Sequence, residues 1–155
     1  MDLLYMTIYV TIVTWLLCFY SSGWLEEHLH DNDENILKRV NRRTSIITGL
    51  NTGRNSAEAL QIVNYGTAGH YEPHFDHAVE SYSAILRQGM GNRIATVLFY
   101  MTDVEIGGST VFVDAEAIAR PSKGDAAFWY NLMKSGEGDP LTRHAGCPVV
   151  VGTKW

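Results

Sequence analysis

Basic residues are scarce in this chain: 12 Lys and Arg stand against 17 Asp and Glu, a formal net charge of −5. Proteins that grip phosphate backbones need a Lys- and Arg-rich surface, and no basic cluster stands out here, so nucleic acid is not an expected partner. Cysteine is nearly absent as well. Cys18 and Cys147 are the two present, too few for a disulfide framework and not arranged as C-x-x-C, and Cys18 lies in an apolar run where pairing with Cys147 is not expected. Cysteine usage therefore leaves the redox compartment open. There is no internal repeat, low-complexity tract or obvious linker. The 46% hydrophobic and 19% charged content over 155 residues exclude a disordered chain and fit a single globular domain large enough to bury a core.

Charge is missing altogether from Leu3 to Tyr20 (LLYMTIYVTIVTWLLCFY). Such a run reads as a signal peptide, a membrane anchor, a buried segment or a gene-model artefact. Met1-Asp2 supplies no basic flank, but Ser21-Ser22-Gly23 offers small residues for cleavage, and secretory targeting is the expectation. A membrane is a partner only if this run is an anchor. Residues 1–20 are thus set apart from a domain spanning 21–155.

His28 and His30, among Glu26, Glu27 and Asp31, read as a solvated loop or helix start rather than a metal site. Ile36, Val40 and Ile47 recur at spacings of four and seven, predicting an amphipathic helix over Glu34–Ile47, with Gly49 helping to end it. Asn55 and Glu58 resemble a capping box opening a short helix before Leu60. Short β-rich runs follow at Leu60–Tyr65, Arg93–Met101, Thr110–Val113, Ala126–Tyr130 and Val149–Thr153, punctuated by Gly, Pro, Asn and Asp. Ile94–Tyr100 is apolar on both faces, as in a central strand, and Gly107-Gly108 reads as a tight turn. Helices followed by many strands predict an α+β fold, with N-terminal helices packed against a β-sandwich or jelly roll.

His74-Phe75-Asp76 forms an H-x-D pair. On a strand, residues i and i+2 project to one side, so imidazole and carboxylate can share an ion. With His144 as third ligand they would form a 2-His-1-carboxylate triad, which leaves open positions on iron. The pair alone is weak evidence: six histidines and 17 acidic residues in 155 give about 0.7 such pairs by chance, and His70-Tyr71-Glu72 is a second. Pro73 interrupts the segment, so strand parity does not choose between them.

A longer series does. Leu60-Gln-Ile-Val-Asn-Tyr-Gly66, Tyr71-Glu-Pro-His-Phe-Asp76, Gly91-Asn-Arg-Ile-Ala-Thr96, Leu98-Phe-Tyr-Met101, Gly107-Gly-Ser-Thr-Val-Phe112, Phe128-Trp-Tyr-Asn-Leu132, Ser135-Gly-Glu-Gly-Asp139, Thr142-Arg-His144 and Cys147-Pro-Val resemble, in order, the catalytic domain of collagen-type prolyl 4-hydroxylase α subunits. The resemblance covers roughly Trp24 to Trp155. It implies a double-stranded β-helix and an iron(II)- and 2-oxoglutarate-dependent dioxygenase that converts peptidyl proline to 4-hydroxyproline.

Carried across by position, the resemblance makes His74, Asp76 and His144 the metal ligands. Lys154 and Tyr65 would hold the distal carboxylate of 2-oxoglutarate, and Tyr71 and Arg93 would contact the peptide. His70 stands where the family typically has glutamine and is placed in a supporting or surface role; Trp129 and Tyr130 are assigned to the sandwich core rather than the substrate groove. The implied cofactors are Fe(II), 2-oxoglutarate and L-ascorbate. The implied partners are a proline-rich, collagen-like peptide and a protein disulfide isomerase-type subunit, and the implied location is the endoplasmic reticulum lumen.

The chain departs from the family at residues 1–20, where members have a β-strand region. It also stops just after Lys154, where they continue with a segment carrying a cysteine expected to pair with the one matching Cys147. It lacks their N-terminal dimerisation and peptide-substrate domains. The expectation is therefore a domain truncated at its C-terminus, with a double-stranded helix that both ends leave open to being incomplete. The alternative to an active enzyme is a non-catalytic relative that binds peptide or partner. A structural zinc or cupin-like metal protein is a weaker alternative, because an open coordination site beside Lys154 suits a co-substrate.

Overall fold

The computed structural model describes residues 7–14, 21–24, 31–53, 56–79 and 91–155. Strands dominate it. A mixed five-stranded sheet has the order β2-β3-β1-β5-β9, from β1 (Thr7–Thr14), β2 (Ser21–Trp24), β3 (Gln61–Asn64), β5 (Arg93–Phe99) and β9 (Ala126–Tyr130). A four-stranded sheet has the order β4-β10-β7-β8, from β4 (Tyr71–His74), β7 (Thr110–Phe112), β8 (Ala117–Ala119) and β10 (His144–Gly146). A third, two-stranded sheet pairs β6 (Val104–Gly107) with β11 (Val149–Gly152). The five strand runs expected from sequence are all present, with bounds shifted by a residue or two. One α-helix, α1 (Asp31–Thr48), is described, rather than several.

The helix is longer than its sequence pattern and is turned differently. Leu37 and Val40 pack against Leu60 and Val97, and Thr44 is buried beside them, whereas Ile36 and Ile47 are 54% and 83% exposed. The buried stripe is 37/40/44, an i, i+3, i+7 set in which a threonine takes an apolar position. It fits there because its hydroxyl is satisfied locally, donating to the Val40 carbonyl at 3.0 Å. Gly49, at φ +72°, ends the helix as expected, its amide donating to Ser45 O.

The short helix expected from Asn55 and Glu58 does not appear over 56–60; Asn55 itself lies outside the described residues, as do His28, His30 and Cys18. Glu58 does not cap a helix. It forms an ion pair with Arg93 at the start of β5.

Part of the uncharged N-terminal run is a strand. In Thr7–Thr14 every residue but Tyr9 is β-branched, a composition that favours extended backbone over helix. β1 lies between β3 and β5 and is parallel to both. Among the described residues no helix is long and apolar enough to cross a membrane.

Gly107 and Gly108 have φ of +86° and +67°. They do not close a hairpin: β6 pairs with β11 while β7 pairs with β10 and β8, so this corner moves the chain from one sheet to another. A Cβ on Gly107 would collide with the Pro148 carbonyl oxygen, so only glycine fits.

Candidate metal centre and co-substrate pocket

The pairing of β4 with β10 builds the centre. They run antiparallel with His144 directly opposite His74, and opposed residues of an antiparallel pair project to the same face. The two imidazoles lie 4.4 Å apart by centroid. β4 ends at His74, and Asp76 arrives from the bend that follows. The expected strand parity of H-x-D is therefore not what unites the pair: the chain turns at Phe75 to bring the carboxylate back. Pro73 is tolerated because β4 is an edge strand.

One ligand atom from each of His74, Asp76 and His144 falls within 4.8 Å of the others. His74 Nε2 is 3.5 Å from Asp76 Oδ1, and His144 Nε2 is 3.7 Å from Asp76 Oδ2. Each Nδ1 faces a backbone carbonyl, Glu72 O for His74 and Thr142 O for His144, both at 2.8 Å. A carbonyl only accepts, so Nδ1 carries the proton and each Nε2 turns a lone pair toward the carboxylate. Two imine-type nitrogens and a carboxylate suit a divalent ion such as Fe(II).

Electrostatics favour the ligating forms. Burial pushes the Asp76 carboxyl up, but the neighbouring His74 and His144 rings and the Thr96 hydroxyl that donates to it together hold it below the usual carboxylate range. For His144 burial wins over the pull of Asp76, and its pKa falls below the ordinary histidine value. The neutral imidazole is the form that binds a metal.

The second pair, His70 and Glu72, forms a surface contact at 3.2 Å with the Glu72 side chain 83% exposed. It gathers no third ligand among the described residues, so the structure selects His74-x-Asp76.

The centre opens on a cavity of about 310 Å³ lined by both larger sheets. Lys154 and Tyr65 are on its wall. They form an isolated antiparallel bridge, with Tyr65 N donating to Lys154 O and Lys154 N to Tyr65 O, both at 3.0 Å. The Lys154 ammonium is 5.4 Å from the Tyr65 ring centroid and 5.6 Å from that of Tyr100. It also donates to Thr110 Oγ1 at 3.4 Å, which accepts from Tyr100 Oη at 3.0 Å. The lysine is 5% exposed, and burial depresses its pKa to about 8. A buried cation among hydroxyls and aromatic faces is suited to holding an anion.

Tyr71 and Arg93 also line the cavity. The Tyr71 ring stands edge-on to His74 at 4.1 Å. Arg93 makes a two-point pair with Glu58, including Nη2 to Oε2 at 2.8 Å, and donates from Nη1 to the Asp76 carbonyl at 3.4 Å. It thus braces the loop that carries Asp76.

The core assignment of Trp129 and Tyr130 needs correction. Tyr130 is 48% exposed, and Trp129 lines the cavity with its ring 4.9 Å from that of His144. They are neighbours on a strand, so one must face inward and the other out. Sequence reasoning also missed Thr96, Asn131, Tyr100 and Thr110. All four lie inside quoted motifs, but only the folded sheets show what they touch.

The profile of the 2OG-Fe(II) oxygenase superfamily matches residues 60–155. The chain is 53% identical over 134 residues to prolyl 4-hydroxylase subunit alpha-2 of Gallus gallus, and 51% identical over 135 residues to subunit alpha-1 of Homo sapiens. Each match covers 86% of this chain and 24% of the relative, so the chain spans about a quarter of the length of these curated relatives. Among solved structures, a viral collagen prolyl hydroxylase from Paramecium bursaria Chlorella virus 1, in its 2OG complex, aligns with a TM-score of 0.69 at 21% identity, over 87% of this chain and 74% of that one; at that identity the likeness speaks to the fold. The profile covers every ligand of the candidate centre together with Lys154, and on these grounds the chain belongs to the 2OG-Fe(II) oxygenase superfamily.

Proposed function

We propose that this chain hydroxylates C4 of proline in proline-rich, collagen-like peptides, coupled to oxidative decarboxylation of 2-oxoglutarate. The observation that carries the reading is the meeting of His74, Asp76 and His144 ligand atoms within 4.8 Å on the wall of a cavity that also holds the buried Lys154. Relatives at about half identity are named prolyl 4-hydroxylase α subunits, which supports proline as the target. The sheets fit a double-stranded β-helix, as in that family.

In this reading His74, Asp76 and His144 hold Fe(II). Lys154, with Tyr65, Tyr100 and Thr110, takes the distal carboxylate of 2-oxoglutarate. The bound metal and co-substrate supply the oxidising chemistry. The chain supplies position and dryness: Nδ1 protons held on carbonyls fix both imidazoles, and Trp129 and Phe112 flank His144 at 4.9 and 5.6 Å, shielding it from water. Tyr71 and Arg93, which line the cavity, are the residues that would contact the peptide in this reading; a polyproline II segment has little conformational entropy left to lose on binding. L-Ascorbate as reductant, a protein disulfide isomerase-type partner, pairing of Cys147 with a further cysteine and residence in the endoplasmic reticulum lumen belong to the same proposal and rest on the family resemblance.

The test is turnover of a proline-rich peptide with Fe(II), ascorbate and 2-oxoglutarate, measuring succinate and hydroxyproline together. Equal amounts of both support the proposal. Succinate without hydroxyproline would leave a metal and co-substrate site that lacks a working peptide groove, and neither product would reject the activity.

A further inference from the structure

Asp76 is held by a directional chain of hydrogen bonds that begins in the deepest part of the fold. Asn131, at the end of β9, is fully buried. Its main chain is locked on both sides, the amide donating to Ile94 O at 2.7 Å and the carbonyl accepting from Asp139 N at 2.9 Å. Its side-chain Nδ2 donates to Thr96 Oγ1 at 2.9 Å, and Thr96 Oγ1 donates to Asp76 Oδ2 at 2.6 Å. Thr96 sits in the middle of β5 and is 2% exposed.

The direction is forced at each link. An amide nitrogen has only hydrogens to offer, so the threonine oxygen accepts. The hydroxyl then has one hydrogen left, and the carboxylate, ionised at neutral pH, only accepts. With the amide turned around, Asn131 Oδ1 and Asp76 would compete for that one hydrogen, and the buried carboxylate would lose its donor. Asn131 Oδ1 has no hydrogen-bond partner among the described residues, which is the cost of fixing the amide this way round.

We propose that Asn131 and Thr96 are positioning residues that fix the Asp76 carboxylate and thereby set the affinity of the metal centre. With Oδ2 tied to Thr96, the group cannot rotate about its last bond without breaking a short charge-assisted hydrogen bond. Oδ1 is then the oxygen with free lone pairs, facing His74 Nε2 at 3.5 Å. The chain ties the ligand loop to β5 and β9, joining a site otherwise built on β4 and β10 to the opposite sheet. This inference rests on the metal-binding reading above and adds two residues to it.

The experiment measures the dissociation constant for Co(II) alone, from its visible absorption, in wild type and in Thr96→Val, Thr96→Ser and Asn131→Asp, beside the thermal midpoint of each metal-free protein. Thr96→Val keeps the branched shape and removes the hydroxyl; it is expected to weaken Co(II) by about 10–100-fold, the usual effect of losing a group that orients a ligand. Thr96→Ser restores the hydroxyl and is expected within about threefold of wild type. Asn131→Asp can no longer donate, competes for the Thr96 hydrogen and is expected to weaken Co(II) at least tenfold even if Thr96→Val fails to fold. Unchanged affinity in Thr96→Val or Asn131→Asp would overturn the proposal. So would a Thr96→Ser protein as weak as Thr96→Val with the same loss of midpoint, which marks a purely structural role. A wild-type protein that binds no Co(II) would instead reject the metal site itself.

Discussion

At the residue scale, the pocket combines two demands that pull apart. In the proposed reading Lys154 is charged to hold a dicarboxylate, yet its burial lowers its pKa to about 8. A lowered lysine pKa means the ligand-free fold is penalised below that value and relieved as pH rises from about 8 toward the ordinary 10.5. Lys154→Met is accordingly expected to raise the stability of the ligand-free protein at pH 7, by up to about 3 kcal/mol, while raising the 2-oxoglutarate KM by about 10–100-fold. An unfolding midpoint that drops in this variant would contradict the first part. For the wild type, co-substrate affinity is expected to fall as pH rises through 8, where the ammonium becomes an amine; a KM that stays constant from pH 7 to 9 would remove the charge of Lys154 from binding. His74→Ala and His144→Ala each remove a ligand and are expected to weaken the metal by more than the roughly 10–100-fold seen on losing a supporting group. Metal titration of each variant checks this. His74, Asp76, His144, Lys154 and Tyr65 were legible in the sequence because a motif names them. Thr96, Asn131, Tyr100 and Thr110 were not, because a buried hydroxyl or amide acquires a role only from the distant segments that the fold brings against it.

At the element scale, periodicity found the elements better than their orientation. The helix was legible from its apolar spacing, but the stripe of Ile36, Val40 and Ile47 gave way to Leu37, Val40 and Thr44 because Thr44 can satisfy its own hydroxyl. Leu37→Ala is expected to cost about 1–3 kcal/mol, and Ile47→Ser less than about 0.5 kcal/mol; denaturant unfolding of the pair distinguishes the two faces. β1 was hidden by its lack of charge, which reads as a targeting segment. The β-branched composition of Thr7–Thr14 was the signal available, and it accounts for a strand where length alone left several readings. β4 and β10 are three or four residues long, too short for a pattern to show, and His144 owes its place to the 3-10 turn at Pro140–Thr142. There Asp139 Oδ1 accepts from Leu141 N at 2.9 Å, and the turn delivers the Thr142 carbonyl to His144 Nδ1. Asp139→Ala is expected to lose about 1 kcal/mol of stability and to loosen metal binding through His144, read by the same unfolding and titration.

At the scale of the whole molecule, the two larger sheets divide the work. One contributes the histidines through β4 and β10; the other contributes Thr96 from β5 and Trp129 from β9, and Asn131 follows directly after β9. The cavity between them is shared, so the metal centre and the buried lysine belong to one compartment. A ligand that binds the folded chain alone stabilises it by mass action, about 2.7 kcal/mol at one hundred times its dissociation constant. The most direct test of the account is an anaerobic titration of the protein with Fe(II) in the presence and absence of 2-oxoglutarate, followed by the charge-transfer absorption of the chelate. The account predicts one metal per chain, a chelate band that appears only with both ligands, and loss of the metal in a His74→Ala, His144→Ala double variant. Binding of Fe(II) that survives the double variant, or a chelate band that never forms in the wild type, would contradict it.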